Sequence, residues 1–330
     1  MIQSLIFITI LLLATVISAS INKQKLTNRG GKIYEIEITN AYRGVAILMV
    51  VIQHCAGSLG TNVFTPFGGT GVAIFLVLSG YGLNESFKKK GLKGFITNKL
   101  FRVWLPFAIF IMVVYFFREQ YDWKSIIQGI FSIDYMNWWY VHYILRCYLV
   151  FWIAYRFAYK YRWLIFTAFS IYTFLGMGGI QAEQCLSFPL GILLSERKGI
   201  LDSLTKRKAV MLCTLFLFIG AAFLAIKQLP VLRQDMDSCI FHAVQVGIKL
   251  PFGLGIMLLL WLLPTSITKS PLLLLCGTLS YELYLTHMQF THCVIGAVSA
   301  SMIILVSLLI SYSMSVATKR LKSVALQHTD

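Results

Sequence analysis

Charge is scarce in this chain, and negative charge is scarcer still. Only 13% of the 330 residues are charged, and 13 Asp and Glu face 29 Lys and Arg. With 58% hydrophobic residues and a mean hydropathy of +0.74, a soluble globular domain is excluded. Repeats and low-complexity tracts are lacking, and the longest polar-rich segments, near 20 to 42 and 118 to 137, are too short for a soluble domain. Paired cysteines are lacking too. Cys55, Cys147, Cys185, Cys213, Cys239, Cys276 and Cys293 stand singly, mostly inside apolar runs, without a CxxC or metal-ligand spacing. That excludes a disulfide framework and a zinc site, so no metal is expected, and the thiols read as small core hydrophobes.

What the chain does have is long apolar runs. They fall near residues 2 to 19, 43 to 60, 70 to 85, 103 to 117, 138 to 157, 163 to 178, 181 to 195, 209 to 226, 239 to 263, 271 to 290 and 293 to 316. About eleven crossings follow, and the fold class is an all-α polytopic membrane protein. A net charge of +16 would point to nucleic acid in a soluble protein, but here the cations cluster between apolar runs. The partner so implied is the lipid bilayer, and no nucleic acid is expected.

The loops alternate in charge. One set carries Lys23, Lys25, Arg29 and Lys32; Lys88, Lys89, Lys90, Lys93, Lys99 and Arg102; Arg156, Lys160 and Arg162; Arg197, Lys198, Lys206, Arg207 and Lys208; Lys269; and Lys319, Arg320 and Lys322. In the other set, Arg118, Lys124, Lys227 and Arg233 are offset by Glu119, Asp122, Asp134, Asp235 and Asp237. The positive-inside rule puts the basic set in the cytoplasm, the amino terminus outside and the carboxyl terminus inside. The opening MIQSLIFITILLLATVISAS resembles a signal peptide in length and in its small residues Ser18, Ala19 and Ser20, but it has no basic n-region. Its removal would invert every later helix against the charge pattern, so a retained first helix is expected.

Ionisable residues inside the runs are the candidates for function. In RGVAILMVVIQH, Arg43 and His54 are eleven residues apart. At roughly 100° and 1.5 Å per residue this is three turns plus about 20°, so the two share a face about 16 Å apart along the axis. Arg43 alone reads as a snorkelling anchor. His54, near or beyond mid-bilayer, needs a cavity or a partner, as a satisfied core histidine or as a general base. In GGTGVAIFLVLSGYGL, glycines allow another backbone or a ligand to come close, and Ser79 and Gly80 interrupt the run. Lys99 and Arg102, three apart before Trp104 and Pro106, share a face that suits either positive-inside charge or a polyanionic nucleotide. Asn137, Trp138, Trp139, Tyr140 and His142 open another helix, as an aromatic belt or a surface for a sugar ring. Near the end, GTLSYELYLTHMQFTH carries Ser280, Tyr281, Glu282, Tyr284 and His287; Glu282 needs a partner or water, and Tyr284 and His287 are neighbours at three residues. His292 and His328 read as loop and tail residues.

This ordered series resembles the acyltransferase family 3 integral membrane enzymes. Arg43 with ten residues before His54, GVAIFLVLSGYGL, NKLFRVWLP, WWYVHYIL, FPLGILLSERK and SYELYLTH carry the resemblance from about residue 38 to about 320. Two features depart from the family pattern. Ala73, Phe75 and Leu76 stand where members often have an acid and two phenylalanines, and the basic pair is Lys99 with Arg102 instead of two arginines. The resemblance implies a bundle of about ten helices, here with one extra N-terminal helix. Its boundaries are an N-terminal helix and basic linker over 1–37, the acyltransferase domain over 38–320 and a short cytoplasmic tail over 321–330. It implies a bacterial inner-membrane O-acyltransferase using acetyl-CoA, or another acyl-CoA, as donor co-substrate and a hydroxyl of a lipid-linked or cell-surface saccharide as acceptor. Arg43, Lys99, Arg102 and Ser79 would face the donor, His54 with Arg43 would carry the chemistry as base or acyl relay, and Trp139, Glu282, Tyr284 and His287 would meet the acceptor. A homo-oligomer and separate glycan-assembly partners are both open. The rival reading is a proton-coupled transporter or flippase routed through His54 and Glu282; a third is an inactive scaffold.

Overall fold

The computed structural model describes residues 2–21, 32–117, 123–131 and 138–327. Lys23, Lys25 and Arg29 of the basic linker, and Arg118, Glu119, Asp122, Asp134, Asn137 and His328, lie outside the described residues. Every regular element among the described residues is helical. Hydrocarbon offers no partner to a backbone N–H or C=O, so a segment crossing it must satisfy its own hydrogen bonds, which a helix does.

In chain order the helices are α1 (Ile2–Ile21), α2 (Ile36–Ser58), α3 (Thr65–Lys90), α4 (Phe95–Lys99), α5 (Leu105–Phe117) and α6 (Trp123–Phe131). Then come α7 (Trp139–Phe157), α8 (Arg162–Tyr172), α9 (Gly179–Ala182), α10 (Ser187–Glu196), α11 (Lys198–Asp202) and α12 (Lys206–Ile226). The last are α13 (Pro230–Gln234), α14 (Cys239–Leu262), α15 (Thr265–Thr268), α16 (Pro271–Thr278), α17 (Ser280–His287) and α18 (Ala297–Gln327). Seven stretches are long and apolar enough to cross a bilayer unaided: α1, α2, α3, the α4–α5 run, α12, α14 and α18. The other four expected crossings coincide with α7, which carries His142, Arg146 and Arg156, and with α8, α9–α10 and α16–α17, each short or broken.

At the centre α3 packs against α2, α10 and α14, while α16 packs on α2 and α12 on α14. Glycines set the closest of these contacts. A Cβ at Gly80 would overlap the Phe188 carbonyl, and one at Gly191 the Val77 carbonyl, so α3 and α10 meet backbone to backbone. Gly277 faces the Asn40 carbonyl and Gly44 the Leu273 carbonyl, which joins α16 to α2 in the same manner. Close approach matters here because lipid tails are as apolar as leucine, and dispersion and polar ties must hold the helices together.

The polar ties cluster at the basic end of the bundle. Lys88 and Lys198 both bond Glu85, at 2.8 and 3.0 Å, and the Ser195 hydroxyl donates to it at 2.7 Å. Asn84 donates to Ser195 at 3.0 Å and accepts from the Tyr155 hydroxyl at 2.7 Å, so α3, α7 and α10 are joined by one network. Arg162 pairs with Glu196, which also accepts from Trp163. Helix α1 docks on α18 and α16. Phe7 is wholly buried, Gln3 accepts from the Ala297 N–H at 3.0 Å, and Ser18 accepts from the Leu272 N–H at 3.0 Å.

Candidate functional site

Two polar cavities open on α2, one toward each end of the bundle. The first, about 270 Å³, lies at the basic end and is lined by Arg43 of α2, Ser79 and Lys90 of α3, Lys93, Asn98, Lys99, Arg102 and Tyr148 among others. Five cations and no carboxylate line it. Lys99 lies over the Tyr148 ring, 3.9 Å from its centroid, which holds an ammonium at an apolar wall. Lys322 of α18 donates to Asn98 at 3.1 Å and fixes the rim.

The pairing of Lys99 with Arg102 follows from Pro106. Proline has no N–H for the carbonyl four residues back, and between α4 and α5 the chain makes a wide π-type turn over Leu100–Trp104, with the Leu105 N–H bonded to the Leu100 carbonyl. The Val103 carbonyl accepts the Tyr281 hydroxyl at 2.7 Å. An interrupted helix thereby keeps both cations on the cavity and ties itself to α17.

The second cavity, about 300 Å³, lies at the opposite end. His54 and Gln53 of α2, Gly68 and Gly69 of α3, Trp139, Tyr284, Gln245, Lys249, Glu183 and Lys227 contribute to its wall. Arg43 and His54 thus share one helix and open into different cavities. Ile47 of α2 and Phe75 of α3 are both buried and line neither cavity.

Behind His54 stands His287, which is 0% exposed. The ring planes are within 7° of parallel with centroids 5.1 Å apart, and His54 Nδ1 is 2.9 Å from His287 Nε2. His287 Nδ1 is in turn 2.9 Å from the Leu283 carbonyl. A carbonyl only accepts, so His287 Nδ1 carries the hydrogen and, in the neutral ring, Nε2 holds a lone pair. His54 Nδ1–H donates to that lone pair. His54 Nε2 is left without a proton, as an acceptor on a side chain that lines the cavity.

The same cavity contains a charged group that the sequence reading passed over. Lys249 of α14 forms an ion pair with Glu183, whose other oxygen lies 3.8 Å from His242 Nδ1, and all three residues are buried. Room for the lysine comes from Gly69, where a side chain would occupy its path. Gly68 likewise faces the Gln53 side chain. The signal was available: Lys249 interrupts the apolar run of α14, and an intramembrane lysine marks a site by default. Lys90 and Lys93 were also missed as cavity residues, because in sequence they look like ordinary loop charge.

Comparison with known proteins bears on this geometry. A family model described as an acyltransferase domain, that of acyltransferase family 3, matches residues 38–318. The chain belongs to that family. No curated protein and no solved structure matches it. It is therefore a membrane acyltransferase, built around the two cavities just described.

In this acyltransferase the residues expected to face the donor, Arg43, Ser79, Lys99 and Arg102, all line the basic cavity. Of those expected to meet the acceptor, Trp139 and Tyr284 line the opposite cavity with His54, and the Tyr284 ring packs edge-on against Tyr140 at 5.0 Å. His287 does not reach that space as a ligand contact, since both ring nitrogens are engaged inside the protein. Glu282 lines neither cavity. No cluster of metal-ligating side chains occurs among the described residues.

Proposed function

We propose that this acyltransferase moves an acyl group, acetyl in the simplest case, from an acyl-CoA at the cytoplasmic end to a hydroxyl of a lipid-linked or cell-surface saccharide at the opposite end of a bacterial inner membrane. The observation that carries this reading is the division of one helix between two sites: Arg43 in a cavity whose charged residues are all cations, and His54 in one that combines aromatic rings and amides with a glutamate and two lysines. Five cations without an acid suit a polyanionic nucleotide, and guanidinium groups match phosphate oxygens in pairs. Trp139 and Tyr284 offer flat faces to a sugar ring, and Gln53 and Gln245 offer amides to its hydroxyls.

The chemistry follows from the His54 tautomer. The acceptor O–H gives its proton to His54 Nε2 as its oxygen attacks the thioester carbonyl; a C–O bond forms, the C–S bond breaks, and the thiolate leaves toward the cationic cavity. A two-step route, in which Nε2 first takes the acyl group and then yields it to the acceptor, uses the same lone pair. On either route the acyl end must travel along α2 from the Arg43 cavity to the His54 cavity, which share no lining residue.

The test is His54→Ala in a protein that still folds. Acetyl-CoA should bind as in the wild type, while mass spectrometry of surface glycans shows the acyl group lost, a fall of at least about 10²-fold in transfer. Full acyl transfer by that variant would overturn the assignment, and proton-coupled solute uptake without any CoA dependence would favour the transporter instead.

A further inference from the structure

Two lysines and one glutamate line the cavity at the His54 end. The charge of Lys249 is matched by Glu183. That of Lys227 is not: among the described residues no carboxylate lies within ion-pair distance of it, and its ammonium rests 5.7 Å from the Phe241 ring centroid. Partial burial, and then Arg233 nearby, hold the Lys227 ammonium below the ordinary lysine value, as happens to a cation with no anion beside it. A cavity built for neutral sugar alone would have no use for a second lysine. A charge kept at the wall of a cleft partly shielded from bulk water interacts strongly with an opposite charge brought there.

We propose that this cavity selects a saccharide bearing an anionic group, carboxylate or phosphate, on or beside the sugar whose hydroxyl meets His54, with Lys227 as the cation that binds it. Lys249 is a second cation for which Glu183 competes. The inference rests on the reading above that this cavity takes the acceptor, and it names the acceptor's chemical class. It carries a sign that a merely structural ion pair would not produce. Removing the Glu183 charge frees Lys249 and strengthens anion binding, whereas loss of a purely structural pair would weaken the site.

The full-length protein in nanodiscs of zwitterionic lipid is titrated calorimetrically with methyl glucuronide, glucose 6-phosphate and methyl glucoside. One or both anionic sugars should bind at least tenfold tighter than the neutral one, and which of the two leads distinguishes a carboxylate from a phosphate. Lys227→Gln should erase the preference, and Glu183→Gln should raise anion affinity several-fold. Equal affinity for all three sugars, binding of none, or a preference that survives Lys227→Gln would overturn the proposal; the lysine variant decides the matter if Glu183→Gln does not fold. Selective binding without transfer of labelled acetyl from acetyl-CoA would leave the anionic site standing and sink the acyl-transfer reading. Transfer to sugars without any anion selectivity would do the reverse.

Discussion

The histidine pair shows how a single neighbour assigns chemistry to a side chain. An isolated imidazole can place its proton on either nitrogen, and only one of the two choices leaves Nε2, the nitrogen not bonded to His287, able to accept. Here the Leu283 carbonyl sets His287, and His287 sets His54. His287 is therefore a positioning residue. His287→Ala should lower kcat for acyl transfer by about 10²-fold while the KM for acetyl-CoA stays unchanged. His287→Gln should recover part of the loss, because its carbonyl oxygen accepts from His54 Nδ1–H; equal kcat in the two variants would remove the tautomer argument. In sequence, His54 was recognisable as a costly intramembrane group, whereas His287 read as an acceptor contact. The spacing of Tyr284 and His287 does put them side by side, with ring centroids 6.0 Å apart, but spacing within one helix cannot say which of the two a second helix covers.

At the level of the elements, the glycine-rich run of α3 has two uses. Gly71 and Gly80 admit neighbouring backbones, while Gly68 and Gly69 admit the side chains of Gln53 and Lys249. The sequence reading allowed the approach of a backbone or a ligand, and only the packing partner shows that Gly68 and Gly69 instead seat side chains. Gly80→Leu or Gly191→Leu would drive a side chain into a carbonyl of the facing helix, and overpacking of this kind costs about 1–3 kcal/mol or more. A clear drop in the detergent-solubilised melting temperature is expected for each, and Gly82→Ala, where nothing lies within 4 Å, should leave it unchanged. An unaltered melting temperature in the Leu variants would mean that α3 and α10 do not meet in this way. The interrupted crossings have a comparable explanation. Pro106 stood out in sequence, whereas the break between α16 and α17 falls inside what read as one run over 271 to 290, and the wide turn that keeps Lys99 and Arg102 together depends on how the chain repairs its hydrogen bonds beside α17.

On the scale of the whole molecule, the charge pattern of the loops implies a direction across the membrane, and the native cysteines give a way to test it. Five of the seven are buried, while Cys239 and Cys293 are exposed, both at the end opposite the basic cavity. With that end outside, a membrane-impermeant maleimide applied to intact cells should label Cys239 and Cys293 and spare the other five. A Lys93→Cys variant made in a background without those two exposed thiols should react only after permeabilisation. The opposite pattern would invert the proposed path from donor to acceptor.

Composition and apolar run length determined the solvent, the helical class and the approximate crossings, because hydrocarbon penalises every unpaired backbone group in the same way wherever it occurs. Local motifs marked Arg43, Lys99 and Arg102 as cations at the edges of apolar runs, and His54 because an ionisable group within such a run is expensive enough to stand out in one dimension. Tertiary structure alone decided that those residues divide between two cavities, that His287 stands behind His54, and that Glu183 meets Lys249 across 66 positions of chain. Such pairings are made between helices, where distance in space bears no relation to distance in sequence.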